Sequence, residues 1–291
     1  MNFPFTYTYW HTKLLRSASC NFSCRGLQMA KEECGVSMAI DVEPFIATAF
    51  SHPLHRVIPL KFVLAELAYI LSGRKDLATI MSYNQQMINY SDDKETLPGS
   101  YGVRLSEQFP RLIERLINDP YTRQACAAIF REDDCLATRT HIPCNVFLQF
   151  MCRPPLLDLH VTSRSSDFVT GFSIDTVHWQ ALHVMMANEL SKQLNQPILP
   201  NIMYYNIASL HIYQKDIAVV EQWGCTKLDD ATWKIGFGKP LSEVIERCQK
   251  EFTGHMTIAE LCDVLGIFEP TASRMVELQQ LFTRYRNKLE R

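Results

Sequence analysis

The sequence predicts an α+β protein, because strand-like and helix-like segments mix along the chain without regular βαβ alternation. Three observations carry this. Leu60–Leu71 is a strongly apolar helical run, Asn145–Met151 and Leu156–Ser163 are apolar strand-like runs meeting at Pro154-Pro155, and helical spacing returns after Gly224.

The first helix, LKFVLAELAYIL, is closed by Ser72-Gly73 as a C-cap, and its single acid, Glu66, stands in an apolar setting. Gln108–Asn118 is amphipathic and stops at Asp119-Pro120, where the residue before proline is pushed out of the helical region. Asn145–Met151 alternates in part and follows Pro143, so it reads as a strand with Leu156–Ser163 as its hairpin partner. Thr176–Leu190 places Val177, Leu182, Met185 and Met186 on an apolar helical face. Ser209–Tyr213 is short and strand-like, and helical pieces follow at Leu241–Phe252, Thr257–Leu265 and Ser273–Glu290. No repeat or clear linker divides the chain. The expected organisation is an N-terminal segment (1–24), one main catalytic domain (25–239) and a helical C-terminal segment (240–291).

Composition narrows the function classes. At 47% hydrophobic and 21% charged, the 291 residues suit an ordinary globular protein. A balance of 29 basic and 31 acidic residues gives no global field for nucleic acid or an anionic membrane. The N-terminus lacks an apolar signal core and no run approaches a membrane span, so the cytoplasm is the expected compartment. The ten cysteines follow no repeating spacing and read mostly as small buried hydrophobes. Cys20-x3-Cys24 with Cys34 and His11 lacks a second paired motif, and His178 and His183 are not an i, i+4 pair, so no metal is expected.

Cys144 opens a strand just after Pro143, where a side chain can face a cavity. A nucleophilic cysteine needs a nearby cation, and Arg164 lies one strand and one short turn away. Arg164-Ser165-Ser166-Asp167, with Gly171 to Asp175 beyond it, is a polar cluster between a strand and a helix; a guanidinium fork with hydroxyls suits a phosphate. The same residues also read as a solvated loop whose Asp175 caps the following helix.

These residues resemble the thymidylate synthase and deoxycytidylate hydroxymethylase superfamily from about Arg25 to Trp223. Pro143-Cys144 with Gln149-Phe150 is similar to the nucleophile strand, and Arg164-Ser165-Ser166-Asp167 with Gly171 to the nucleotide and folate signature. His211-Ile212-Tyr213 resembles the sugar-binding H-x-Y, Glu66-Leu67 with Gly73 the glutamate helix, and Tyr101-Gly102 the active-site tyrosine. Asp119-Pro120-Tyr121-Thr122-Arg123 resembles the arginine loop that crosses to a second subunit, and Arg25, ahead of Gly35, takes the place of the N-terminal phosphate arginine.

The resemblance implies a mixed sheet flanked by helices, with sheets packed back to back in a homodimer. It implies that Cys144 adds to carbon 6 of a pyrimidine nucleoside monophosphate and that carbon 5 takes a one-carbon unit from 5,10-methylenetetrahydrofolate. Arg25, Arg164, Ser165 and a partner's Arg123 would hold the phosphate, with Gln149 beside the substrate. His211 and Tyr213 would bond the sugar, Asp167 and Gly171 would face the folate, and Glu66 with Tyr101 would organise water and protons.

Departures from the family pattern sharpen the expectation. Asp175 stands where methylating synthases have asparagine, and a carboxylate suits the amine and protonated ring nitrogen of cytosine. Asn145 replaces a histidine and Gln124 a second arginine, and the chain runs from Trp223-Gly224 into helical pieces rather than a closing tail. The expected activity is therefore 5-hydroxymethylation of CMP or dCMP. The rivals are a methyltransferase acting on dUMP or dCMP and a non-catalytic nucleotide- or RNA-binding homologue.

Overall fold

The computed structural model describes residues 3–24, 26–43, 46–50, 60–136, 138–139, 141–223 and 232–268. The centre is a mixed sheet built on two long strands, β2 (Leu27–Asp41) and β8 (Leu199–Tyr213), which pair antiparallel. On its other side β8 runs parallel to β6 (Leu156–Ser163), which pairs antiparallel with β5 (Asn145–Arg153). The edges are β1 (Ser23–Cys24) beside β2 and β4 (Cys126–Ala128) beside β5, while β7 (Ser166–Asp167) adds to β8.

β5 and β6 occupy the expected places, with Arg153 opposite Leu156 across the proline pair. Only the last five residues of β8 are expected from the sequence, yet the strand extends back to Leu199. The strand β2 and the helix α1 (Phe3–Arg16) are not anticipated.

The helix α6 (Gly171–Gln193) packs on one face of the sheet and is buried on nearly all sides, its polar residues Asp175, His178, Gln180, His183 and Glu189 included. Its start five residues before Thr176 removes the capping reading of Asp175, which lies inside the helix; Thr170 is the N-cap residue. The apolar helix α2 (Leu60–Ser72) packs against α6 and against α8 (Leu241–Glu251) and α9 (Ile258–Val264). Leu241, Val244, Cys248, Leu261 and Val264 share one core cluster with α2, α6 and the sheet. Ser273–Glu290 lies outside the described residues.

A second, three-stranded antiparallel sheet accompanies the helical pieces expected after Gly224, of which α8 and α9 are present, and its strands are not anticipated: β9 (Thr232–Phe237) pairs with β3 (Ile46–Phe50) and β10 (Ile267–Phe268). Six residues carry too short an alternation to reveal a strand whose partners are so distant in the sequence. The remaining described α-helices are α3 (Leu77–Met81), α4 (Tyr101–Leu105), α5 (Phe109–Asn118) and α7 (Ile217–Trp223), with short 3-10 turns at Gln85–Tyr90 and Glu132–Cys135. No described helix is long and apolar enough to cross a membrane.

Candidate active site

Pro143 ends the approach to β5 and leaves Cys144 partly exposed at the strand mouth. Antiparallel pairing of β5 with β6 returns the chain to the same point, where the Arg164 amide donates to the Cys144 carbonyl at 2.8 Å. The Arg164 side chain then folds back over the thiol. Its Nε donates to the Pro143 carbonyl at 3.0 Å and one Nη to the Ile142 carbonyl at 3.0 Å. That same Nη lies 3.7 Å from Cys144 Sγ, and the other donates to Ser165 Oγ at 3.1 Å. Ser165 Oγ is itself 4.0 Å from the sulfur. The arrangement puts a fixed cation and a hydroxyl beside the thiol, the environment in which a cysteine acts as a nucleophile.

Behind the thiol lies a buried polar cluster on α6, α2, α4, β5 and β8. The Asn145 side-chain amide donates to Asp175 Oδ2 at 2.7 Å and to the Tyr101 hydroxyl at 2.8 Å. Tyr205 donates to Asn145 Oδ1 at 3.0 Å, and Tyr101 lies 3.5 Å from Asp175 Oδ2. Burial pushes the Asp175 carboxyl up to about 7, with hydrogen bonds from Asn145, Tyr101 and Tyr205 pulling against it. Glu66, half-buried on α2, is pushed up to about 8 by burial and then by Asp175. Two carboxyls that hold protons near neutral pH are suited to proton transfer. Asn145 and Tyr205 belong to this cluster although the sequence assigned neither a binding role; the inward alternation of β8 was the signal for Tyr205.

β7 brings Asp167 opposite His211 on β8. His211 is 6% exposed, its Nδ1 is 3.5 Å from Ser209 Oγ, and its Nε2 has no hydrogen-bond partner among the described residues. This ring nitrogen has hydrogen-bonding capacity left over, as have the Nδ1 atoms of the buried His178 and His183. Burial lowers the His211 pKa while Asp167 works against it. The Tyr213 ring meets the His211 ring edge-on at 4.9 Å. Asp167 accepts from the Val169 amide at 3.0 Å and from Thr170 Oγ1, fixing the turn that leads into Gly171 and α6.

Arg123, Gln149 and Gln124 have partners of their own among the described residues. Arg123 is exposed, and its carbonyl accepts from Gln149 Nε2 at 2.8 Å. Gln149 lies on the sheet face opposite Leu148 and Phe150. Gln124 accepts from Arg115 at 2.7 Å. Arg25 lies outside the described residues. His178 and His183 are buried against the carbonyls of Val63 and Leu157, at 2.9 Å and 2.7 Å, and burial lowers both to about 4. Among the described residues no histidine, cysteine or carboxylate cluster is arranged for a metal ion. Of the nine described cysteines only Cys152 and Cys248 are buried, each raised to about 12 by burial, while Cys24, Cys34, Cys126 and Cys135 are exposed, so the reading of most cysteines as buried hydrophobes does not hold.

Fold and site together define the class, a mixed-sheet α+β protein with an arginine-covered cysteine just before the strand β5. Its architecture is that of thymidylate synthase from T4 phage, with a TM-score of 0.61 at 17% identity, covering 76% of this chain and 80% of that one. The sequence profile described as Thymidylate synthase matches residues 31–235, and the chain belongs to the thymidylate synthase family. A protein of Bacillus phage SP01 named Deoxyuridylate hydroxymethyltransferase is 31% identical over 193 residues, 57% of this chain and 49% of that protein. Its namesake from Pseudomonas phage M6 is 28% identical over 187 residues, 58% of this chain and 51% of that one. A Thymidylate synthase of Streptococcus pyogenes is 23% identical over 168 residues, 54% and 58% of the two chains. The chain thus spans about half the length of the curated relatives it matches.

Proposed function

We propose that this chain hydroxymethylates carbon 5 of a cytidine monophosphate, ribo or deoxy, with methylenetetrahydrofolate as one-carbon donor and water as the source of the hydroxyl. The observation that carries this reading is Asp175, a buried carboxyl in a cluster directly behind the thiol. Cytosine presents an amine donor and a ring nitrogen that takes a proton, and a carboxyl shares one proton across that edge with both groups satisfied. An asparagine at this place would match uracil instead. The names of the two phage relatives support the hydroxymethyl product, although they specify uridylate.

Chemistry begins at the thiol. Cys144 adds to carbon 6 as a thiolate, held beside the Arg164 guanidinium, and the electron pair of the 5,6 double bond moves to carbon 5. Carbon 5 then takes the one-carbon unit and loses its proton. Water adds to the resulting methylene group as the thiolate is expelled, so the cysteine is regenerated and no oxidation occurs. The donor, when bound, supplies the methylene carbon and leaves as tetrahydrofolate. Asp167, a half-buried carboxylate at the entry to α6, provides the acceptor that a pterin N–H edge requires, so the residues fit the donor.

Arg164 and Ser165 face the phosphate, with Arg25 and a partner's Arg123 completing that subsite in a homodimer. His211 Nε2 and Tyr213 serve the sugar hydroxyl. Glu66, protonated near neutral pH, delivers or receives protons at the water.

The test is incubation with CMP, dCMP, UMP or dUMP and labelled donor, with products identified by mass. A 5-hydroxymethylcytosine product without dihydrofolate absorbance is expected. A methylated uracil as the only product overturns the reading. Asp175→Asn should shift the cytidylate-to-uridylate ratio of kcat/KM toward uridylate by roughly 10²–10⁴-fold.

A further inference from the structure

We propose that Asn145 is a positioning residue that fixes which oxygen of Asp175 carries the proton shared with the base, and thereby sets the choice between cytosine and uracil. The direction of that choice rests on the cytidylate reading above; the selection mechanism does not.

The two bases make opposite demands. Cytosine accepts at ring nitrogen 3 and donates from its 4-amine, whereas uracil donates at nitrogen 3 and accepts at its 4-carbonyl. A carboxyl with one proton offers one donating and one accepting oxygen along this edge. Moving the proton from one oxygen to the other converts a match for one base into a match for the other. A carboxyl free to do so would select neither base.

The cluster removes that freedom. Asn145 donates to Oδ2 at 2.7 Å, and the same amide donates to Tyr101 at 2.8 Å. The Tyr101 oxygen being occupied as an acceptor, its own proton points toward Oδ2 at 3.5 Å. With two donors aimed at it, Oδ2 is an acceptor, and the exchangeable proton is left to Oδ1. Tyr205 donates to the amide oxygen at 3.0 Å and so favours this orientation; the reversed amide needs Tyr205 to turn its proton away and Oδ2 to take the carboxyl proton. Asn145 is 0% exposed, so water does not stand in for the amide. The other ionisable groups close to Asp175 are Glu66 on α2, Tyr101 on α4 and Tyr205 on β8, with Cys144 facing both tyrosines. Among the described residues, Asn145 is the side chain that bonds Asp175, Tyr101 and Tyr205 at once.

The experiment compares the full-length protein with Asn145→Leu, Asn145→His and the near-isosteric Tyr205→Phe. Each is measured for the cytidylate and uridylate of the sugar the wild type accepts, CMP with UMP or dCMP with dUMP, by calorimetric dissociation constants and by kcat/KM between pH 6 and 9. Loss of the amide in Asn145→Leu should bring the two-base ratio at least about tenfold closer to one and make the two pH profiles converge. Asn145→His keeps an N–H donor and should hold the ratio within about threefold. Tyr205→Phe, which frees the amide to turn, should fall between them. A uniform loss for both bases in Asn145→Leu and Tyr205→Phe, with the ratio unmoved, overturns the proposal. Should Asn145→Leu fail to fold, Tyr205→Phe and Asn145→His decide by the same ratio. A wild-type preference for uridylate rejects the cytidylate reading alone, because the ratio still collapses in these variants if Asn145 sets it.

Discussion

Two arginines of this protein are built alike and used in opposite ways. Arg104 on α4 is 2% exposed; its Nε donates to the Pro98 carbonyl at 2.8 Å and its two Nη atoms grip Asp134 at 2.8 and 3.0 Å. Arg164 also spends its Nε on a proline carbonyl, that of Pro143, but its remaining partners are a second carbonyl, a hydroxyl and the Cys144 sulfur. Among the described residues no carboxylate pairs with Arg164. A guanidinium positioned by neutral dipoles keeps its charge for whatever enters the site. One positioned by a carboxylate has already been neutralised, and its work is to hold β4, α4 and the Glu132–Cys135 turn together. Position in the fold does not separate these two roles; the partner list does.

The largest effect sharpening this contrast comes from removing what the Arg164 charge faces. Cys144→Ala should lower turnover by on the order of 10⁴-fold or more while leaving thermal unfolding unchanged. Release of tritium from carbon 5 of the substrate reads the loss, and substantial release by the variant would mean that another group is the nucleophile. Swapping the arginines comes next. Arg104→Met strands Asp134 as a buried unpaired charge and should cost about 3–5 kcal/mol of stability. Arg164→Met should change urea unfolding by less than about 1 kcal/mol and lower kcat/KM by roughly 10²-fold. Equal destabilisation by the two substitutions would break the comparison outright.

Much of the Arg164 site was legible in the sequence, because its parts lie in short local runs. The strand after Pro143, the Arg-Ser-Ser-Asp turn and the His-x-Tyr strand end are each read without knowledge of a distant partner. Asp175 was legible as a departure from asparagine but open to a capping role, and only the early start of α6 places it within the helix. The arrangement of Asn145 was not legible. Its function is a set of contacts to residues 30 to 60 positions away, and no spacing in the sequence encodes those.

The elements missed in the fold have a similar cause. β2 carries Lys31, Glu32 and Glu33 in its interior, which breaks the apolar alternation a strand normally shows. The structure explains two of these charges by the C-terminal end of α1 and the residue after it, and the third by β8: Lys31 donates to the Ser17 carbonyl at 2.6 Å, Glu33 pairs with Lys13 at 3.3 Å and accepts from Ser17, and Glu32 accepts from Ser209. Polar residues satisfied by another element look like loop residues until that element is known. α2, β5 and β6 bury their own patterns and so were readable alone.

The smallest predicted effect carries the contrast from arginines to acids. Among the described residues no cation pairs with half-buried Glu66 or buried Asp175, and desolvation raises them to about 8 and about 7. Each is raised above its unfolded value of 4.5 or 3.8, so the folded chain holds protons that the unfolded chain has lost, and stability falls as pH climbs through this window. His178 and His183 have the opposite sign: lowered from 6.5 to about 4, they add stability as pH rises across that lower interval and contribute no slope above it. Between pH 6.5 and 9 the carboxyls therefore govern the slope among these groups. Glu66→Gln should flatten it, gaining roughly 2 kcal/mol at pH 9 relative to its effect at pH 6.5 in urea denaturation. Parallel curves for wild type and variant would mean that Glu66 is ionised at neutral pH, and that the site's acids are compensated in the way Asp134 is. A flattened curve would mean that the site keeps its carboxyls protonated as it keeps the Arg164 charge unpaired, at a cost in stability that a bound nucleotide would offset.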